Sequence, residues 1–508
     1  MKIRGNQMAT IDEKVLWDAA NKLIGAIAPV DYMNVTMGLI FLKYVSDKYE
    51  VRYQELLETG KDVNDKDYYE MLHIYLIPEN ARWNFIKDYT KSDYIDEHGK
   101  EFNLGQLLDN AFIQIEAENP EFKGILPKVF SKSDIDKRRL GEVVDLFTNQ
   151  LIFGDADQDF VGRVYEYFMG KFSNLLGKGG EFFTPRSIVK LLVAILDPKD
   201  GKVYDPCCGT GGMFVSVGEF VATHQGNVDA VSVYGQELNP QTWRLAKMNL
   251  AIRGIEANIG DSFGDTFHND KHKNLRANYV LANPPFNIKD YGQPALTGDP
   301  RWKFGTPPSG NANYAWIQHM YSKLAPNGKA GFVLANGSLS TSSKQEYEIR
   351  KNMLEAGVVD CIITMPTNLF FNVTIPVALW FLKEGKKSKD VLFIDARNMG
   401  HMIDRKVREL SQEDIDKLST THHNWINKKD YEDVKGFCKV ASIEEIREAD
   451  YTLVPGRYVG VDDSNKMSQE EIQAEIKKTS LELLKLFEES EDLEKKVKEL
   501  LMKNVSDE

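Results

Sequence analysis

The sequence predicts an α/β protein: a mostly parallel sheet with helices on both faces, a helical domain before it and one long helix after it. From about residue 184 to 385, short apolar runs alternate with helical segments, the pattern of a parallel sheet covered on both sides. Before residue 150, apolar residues recur at helical spacing between acidic and polar loops. After residue 468 the chain turns rich in Glu, Lys and Leu, with apolar residues spaced by 3, 4 and 7. The expected organisation is a helical domain over 1–155, a sheet domain over 156–400 that carries the chemistry, and a C-terminal region over 401–508. With 508 residues, the chain is too long for a single core.

In the first domain, WDAANKLIGAIAP and NVTMGLIFLKYVSDKYEVRYQELLE show i, i+3, i+4 apolar spacing and no chemical motif. VGRVYEYFMGKFSNLL, from 161, reads as a further helix. KGGEFFTPRSIVKLLVAIL is a glycine-rich turn and then a helix opening near Thr184-Pro185, because proline suits a helix's first turn. The strand candidates are KVYDP, AVSVYGQE, ANIGDSF, NYVLANPP, AGFVLAN, VVDCIITMP and VALWFLKE, which end the sheet near 385. Ser468–Lys503 forms a long amphipathic helix through Ile472, Ile476, Leu483, Leu486, Leu493, Val497 and Leu500. That face suits a coiled-coil arm and packing on its own domain equally.

Composition bounds the partners. The net charge is −13, which argues against tight nucleic-acid binding by this chain alone. The four cysteines, Cys207, Cys208, Cys361 and Cys438, form no C-x-x-C pair and no disulfide framework. With a polar start that lacks an apolar h-region, they predict a reducing, cytoplasmic location with no membrane span. Cys207 and Cys208 are adjacent, poor geometry for a metal pair, so no metal site is expected.

Ligands of such sheets bind at the carboxyl ends of strands. The first strand ends in VYDPCCGTGGMF: Asp205-Pro206 stops it, and Gly209, Gly211 and Gly212 allow a tight turn with close backbone approach. Phe214 occupies the last glycine position of a dinucleotide fingerprint, and no G-x-x-x-x-G-K-[ST] loop exists. The turn suits a nucleoside without phosphates or an ordinary strand-to-helix connection. The second strand ends in Glu237, where a Rossmann-type fold accepts ribose hydroxyls; the third ends in Asp261-Ser262-Phe263. Asp261 suits an adenine amine and Phe263 its ring.

The fourth strand ends in Asn283-Pro284-Pro285-Phe286. Each proline fixes its own φ, lacks an N–H and pushes the preceding residue into an extended conformation. The result is a stiff stretch of carbonyls beside the acceptor of Asn283, fitted to an exocyclic NH2 with two protons. Phe286 offers a face on which a flat base stacks. Residues 287–313, NIKDYGQPALTGDPRWKFGTPPSGNAN, read as a lid, in which Arg301, Trp302 and Lys303 meet phosphate or base, or as a disordered insertion.

DPCCGTGG with NPPF resembles DNA adenine-N6 methyltransferases that use S-adenosylmethionine. GGEFFTPR, NYAWIQHMYSKLAPNGKAGFVLANGSL and FNVTIPVALWFL extend the likeness, over most of the chain, to the modification subunit of type I restriction–modification systems (HsdM-like). The resemblance implies a Rossmann-like S-adenosylmethionine-dependent methyltransferase sheet. It implies that Glu181, Phe182, Phe183, Thr184, Pro185 and Arg186, with Asp205, Pro206, Gly209, Thr210 and Gly211, surround the methionine part of the cofactor. Glu237 then takes the ribose, and Asp261 with Ser262 the adenine. Asn283, Pro284, Pro285 and Phe286 become the catalytic set, acting on an adenine flipped out of double-stranded DNA. It further implies a specificity subunit, since 120 or so residues after the sheet leave little room for target recognition, a second modification subunit, and a restriction motor that can be added. Protein glutamine methylation and a non-catalytic scaffold are the alternatives.

Overall fold

A computed structural model describes residues 17, 29–132, 135–151, 167–168, 184–224, 230–341, 343–370, 376–403 and 407–461, with positions 477, 479, 480, 484, 487, 490, 493 and 494. The helical domain is built on α1 (Pro29–Glu58), α2 (Leu104–Glu118) and α3 (Lys137–Gln150). Helix α1 buries residues almost all round, Val35, Met37, Leu39, Ile40, Phe41 and Leu42 among them, as a central helix must. Asn103 and Gln106 form a capping box that starts α2, and Asp136 caps α3. Gly105 lets α2 approach the Phe130 carbonyl, which an added Cβ would meet at 2.3 Å.

Helix α4 (Arg186–Leu196) takes Pro185 as its N-cap and buries Ile188, Val189, Leu191, Leu192, Val193 and Ile195. The strands follow: β1 (Gly201–Asp205), β2 (Val231–Gly235), β3 (Ala257–Asn258), β4 (Ala277–Ala282), β5 (Leu324–Ala335), β6 (Val359–Thr364), β7 (Val377–Lys383), β8 (Val391–Asp395) and β9 (Cys438–Ala441). They form one sheet in the order β9-β8-β6-β7-β5-β4-β1-β2-β3. Every strand candidate from the sequence is present. The sheet is parallel except for β7, inserted antiparallel between β5 and β6, and the edge strand β9. Helices α5 (Gly212–Thr223), α6 (Pro240–Ile252), α7 (Asn313–Ser322), α8 (Lys344–Glu355) and α9 (Gln412–Asn427) complete the layers.

The sheet runs on past 385, where the sequence pattern ends it. VLFID is an almost wholly buried strand hidden between charged stretches, and CKVA pairs with it from a region that reads as mixed and charged. Helix α9 packs on α4, with the His423 ring bonded to the Ile195 carbonyl at 3.1 Å. Where the sequence predicts a long C-terminal helix, Lys477, Thr479, Ser480, Leu484, Phe487, Ser490, Leu493 and Glu494 are helical and exposed; Ile472, Ile476, Leu483, Leu486, Val497 and Leu500 lie outside the described residues. No helix among the described residues is long and apolar enough to cross a membrane.

Candidate functional site

Register brings the candidate residues to one edge. Val203 and Tyr204 of β1 stand opposite Tyr279 and Val280 of β4, while Asp205 stands opposite Gly235 of β2. The turn after β1 and the asparagine after β4 therefore leave the sheet side by side.

The glycine turn is stitched to β2. Cys208 N donates to the Gln236 carbonyl at 2.9 Å, and Gln236 N donates to the Asp205 carbonyl at 3.0 Å. Gly209 and Gly211 have φ of 54° and 83°, which side chains rarely adopt. A Cβ at Gly211 would meet Leu250 at 3.2 Å, whereas one at Gly209 would meet nothing within 4 Å among the described residues. Asp205 is buried and accepts from Cys207 N at 2.9 Å. Burial pushes its carboxyl up to about 7, with Glu237 adding to the rise. The Pro206 carbonyl accepts from Thr266, and the Thr210 carbonyl accepts from Asn249 at 2.8 Å.

Glu237 links the strand ends. Its carboxylate accepts from Gly209 N at 3.0 Å and from Asn239 N at 2.8 Å, and its carbonyl accepts from Gly264 N at 2.8 Å. The glycine turn, the cap of α6 and the loop after β3 thus share one residue. Asp261 lies at the exposed rim, where the Lys271 ammonium donates to it at 3.0 Å and the Ser262 hydroxyl at 2.9 Å. The hydrogen bond from Lys271 is the chief cause holding the Asp261 carboxyl below its ordinary value. Leu238 and Phe263, one on each loop, are 63% and 46% exposed.

Asn283 follows β4, with Pro284 buried behind it and Pro285 and Phe286 half-buried. The Asn283 amide donates from Nδ2 to Thr184 Oγ1 at 3.0 Å, joining the residue before α4 to the residue after β4. Phe286 packs against two hydrophobic clusters, one on either side of the sheet's apolar residues and one of them shared with the helical domain, and meets Phe370 edge-on, ring centroids 6.2 Å apart. Of the candidates before α4, Thr184 stands at this junction and Pro185 caps the helix. Arg186 pairs with Glu219 of α5 at 3.1 Å. Glu181, Phe182 and Phe183 lie outside the described residues.

The segment 287–313 is an ordered part of the domain. Tyr291, Leu296, Trp302 and Phe304 are buried in it, and the Trp302 indole donates to the Leu296 carbonyl at 2.8 Å. Arg301 does not face outward as a phosphate ligand would. It donates to the Thr266 and Phe267 carbonyls at 3.1 and 2.7 Å, meets His319 Nδ1 at 3.1 Å, and pairs with Asp299 at 2.7 Å. Burial, with help from Lys323 and Arg301, holds the His319 imidazole well below its ordinary value, so neutral His319 accepts from Arg301. The expected DNA contacts of Arg301 and Trp302 are thereby corrected to a packing role. Among the described residues, no group of three or more His, Cys, Asp or Glu stands together as metal ligands would.

Comparison with known proteins identifies the family. The model of the N-6 DNA methylase family matches residues 156–467, and that of the HsdM N-terminal domain matches 13–147. The type I restriction enzyme HindI methylase subunit of Haemophilus influenzae is 44% identical, over 76% of this chain and 90% of its own length. The chain belongs to the methylase subunits of type I restriction enzymes. The MjaIX methylase subunit of Methanocaldococcus jannaschii is 38% identical, over 96% of this chain and 90% of its own length. Among solved structures, the methyltransferase subunit of a type I restriction–modification system from Streptococcus thermophilus superposes with a TM-score of 0.75 at 26% identity, covering 88% of this chain and 98% of that one. This methylase subunit is therefore a DNA methyltransferase of the N6-adenine class, and neither a protein-glutamine methyltransferase nor a scaffold is favoured.

Two features of the candidate site escape the sequence pattern. Leu238 is one, although a large apolar residue between the strand-end acid and the Asn-Pro cap of α6 is a usable signal. Phe370 is the other, and its approach to Phe286 joins residues 84 positions apart, which no local pattern encodes.

Proposed function

We propose that this chain binds S-adenosylmethionine over the Gly209–Gly211 turn and methylates the N6 amine of an adenine flipped out of double-stranded DNA. The observation that carries the proposal is the register that sets Asn283-Pro284 beside that turn. The residues fit the cofactor. An added Cβ at Gly209 would meet no described residue within 4 Å, Glu237 supplies a carboxylate at the end of β2, and Leu238 and Phe263 offer apolar surface for a purine on adjoining loops. When bound, S-adenosylmethionine supplies an electrophilic methyl group. Glu237 then serves the ribose, Asp261 and Ser262 the adenine amine, and Thr184–Arg186 with Asp205–Gly211 the methionine end.

The chain's own contribution is to the amine. The Asn283 side-chain carbonyl and the Pro284 backbone carbonyl accept its two protons. Accepting both draws the nitrogen toward a tetrahedral shape and frees its lone pair for attack. Pro284 and Pro285 keep these acceptors stiff, so no reorganisation is needed as charge develops. Phe286 stacks the extruded base, offsetting an unstacking cost of about a few kcal/mol.

Target recognition belongs to a specificity subunit, with two copies of this chain joining it and a restriction motor as a further partner. The net charge of −13 supports this division, as does an amphipathic C-terminal helix available for docking. The test is tritiated methyl transfer and DNA retardation at physiological salt. The chain alone binds cofactor without site-specific DNA binding, and adding the specificity subunit restores both binding and transfer. Tight site-specific binding by the isolated chain would overturn the division of labour.

A further inference from the structure

We infer that Asn287 is a further substrate-binding residue: its amide is locked with the NH2 end free, one residue beyond Phe286, to donate to a hydrogen-bond acceptor on the target nucleotide. The inference rests on the proposed function and deepens it, adding a donor for the nucleotide beside the acceptors that serve its amine. The donors around Asn287 leave its amide one orientation. The Asn287 backbone N–H can only donate, and it donates to Asn313 Oδ1 at 3.0 Å. That contact sets the amide of Asn313, which is buried, and turns its NH2 to Asn287 Oδ1 at 2.9 Å. Asn311 Nδ2 donates to the same oxygen at 3.3 Å. With its oxygen taken by two donors, Asn287 keeps an NH2 that has no partner among the described residues, on a side chain that is itself exposed.

The backbone is held as firmly as the side chain. Asn287 has φ of 56°, a left-handed conformation that few residues other than glycine adopt and that asparagine tolerates best. Ala312 N donates to the Ile288 carbonyl at 2.9 Å, so the bend is fastened to the residues that open α7. Pro284 is buried, Pro285 and Phe286 are half-buried, and Asn287 is the first exposed residue after them. A residue kept in sparsely populated backbone by a buried partner, next to the reacting stretch, is the kind of outlier that marks function. The base stacked on Phe286 brings its own nucleotide to this amide. That nucleotide offers a donor one chemistry from two sources: phosphate oxygens on its backbone and ring nitrogens on its base.

The test uses the chain assembled with its specificity subunit, measuring Kd for cognate DNA, cofactor Kd by calorimetry and thermal unfolding. Asn287→Asp keeps an oxygen for Asn313 and Asn311, so the bend survives, and replaces the free NH2 by a second oxygen. It is expected to raise the DNA Kd roughly tenfold, the equivalent of one hydrogen bond, while cofactor Kd and melting temperature stay where they were. Modified duplexes then identify the acceptor. A penalty relieved by a neutral methylphosphonate at a phosphate flanking the target adenine assigns a phosphate oxygen. A penalty relieved by a deazaadenine target, in which carbon replaces one ring nitrogen, assigns that nitrogen. An Asn287→Asp assembly that binds cognate DNA as wild type does would overturn the inference, as would a loss equal on every modified duplex, which is general repulsion. A wild-type assembly that transfers no methyl to DNA would instead overturn the function on which the inference rests.

Discussion

Replacing Arg301 by alanine should destabilise the catalytic domain without altering how the assembled enzyme senses salt. The guanidinium is 13% exposed and its partner Asp299 16%. It joins three separate pieces of chain: the Thr266 and Phe267 carbonyls after β3, His319 on α7, and Asp299 in its own segment. Burial alone would raise the Asp299 carboxyl, yet the bonds from Arg301 bring it below its ordinary value. Alanine would leave that carboxylate buried without its cation and two carbonyls without their donor. Breaking a buried pair of this kind costs about 3–5 kcal/mol. For a domain of about 245 residues that lowers Tm by roughly 6–10 °C. The assay is thermal and denaturant unfolding of Arg301→Ala and Arg301→Lys, with lysine recovering part of the loss. Retardation of cognate DNA by the assembly, across a salt series, supplies the control. A phosphate ligand contributes about one unit to the slope of log K against log salt, so its removal would flatten the slope by that much. A normal melting temperature with a flattened slope would refute the packing role and return Arg301 to the DNA.

Three further outcomes follow from the site. Phe286→Tyr should keep most activity and Phe286→Ala lose it, with 2-aminopurine fluorescence reporting base flipping; full activity in Phe286→Ala would make the ring core only. Glu237→Gln replaces one of the two oxygens that accept from Gly209 N and Asn239 N, so calorimetry should show cofactor Kd raised about tenfold to a hundredfold, and an unchanged Kd would remove Glu237 from the cofactor site. Asp205, whose carboxyl burial lifts from 3.8 to about 7, holds a proton in the folded state that the unfolded chain releases. That contribution is fully present below about pH 4 and lost as pH rises through 7, so Asp205→Asn should gain on wild type by up to about 4 kcal/mol between pH 4 and 8 in denaturant titrations.

The sheet was legible because each central strand is an apolar run closed by residues that cannot continue it: Asp205-Pro206, the glycine turn, Asn283-Pro284. β8 and β9 were not, since VLFID stands among lysines and CKVA is only four residues long. The strand-end candidates were legible for the same reason: a parallel sheet brings consecutive strand ends to one edge, and Glu237 does bond Gly209 there. What local pattern cannot carry is where a side chain turns once the fold brings distant segments together. Arg301 stands in a Gly/Pro-rich stretch that looks like surface, and apart from Asp299 its partners are 18 to 35 residues away on other elements. Arg186 likewise turns to Glu219, one helix on. The Thr184–Asn283 bond spans 99 residues.

The measurement that tests the account most directly is the product of the assembled enzyme. Cognate DNA is incubated with labelled S-adenosylmethionine, then digested to nucleosides and resolved by mass spectrometry, using wild type and Asn283→Ala. The account predicts N6-methyldeoxyadenosine as the labelled nucleoside. It predicts a rate lower by about 10²–10³ in the mutant, with cofactor Kd unchanged. Label on another base, or on protein, or a folded Asn283→Ala that has lost cofactor binding, would contradict it.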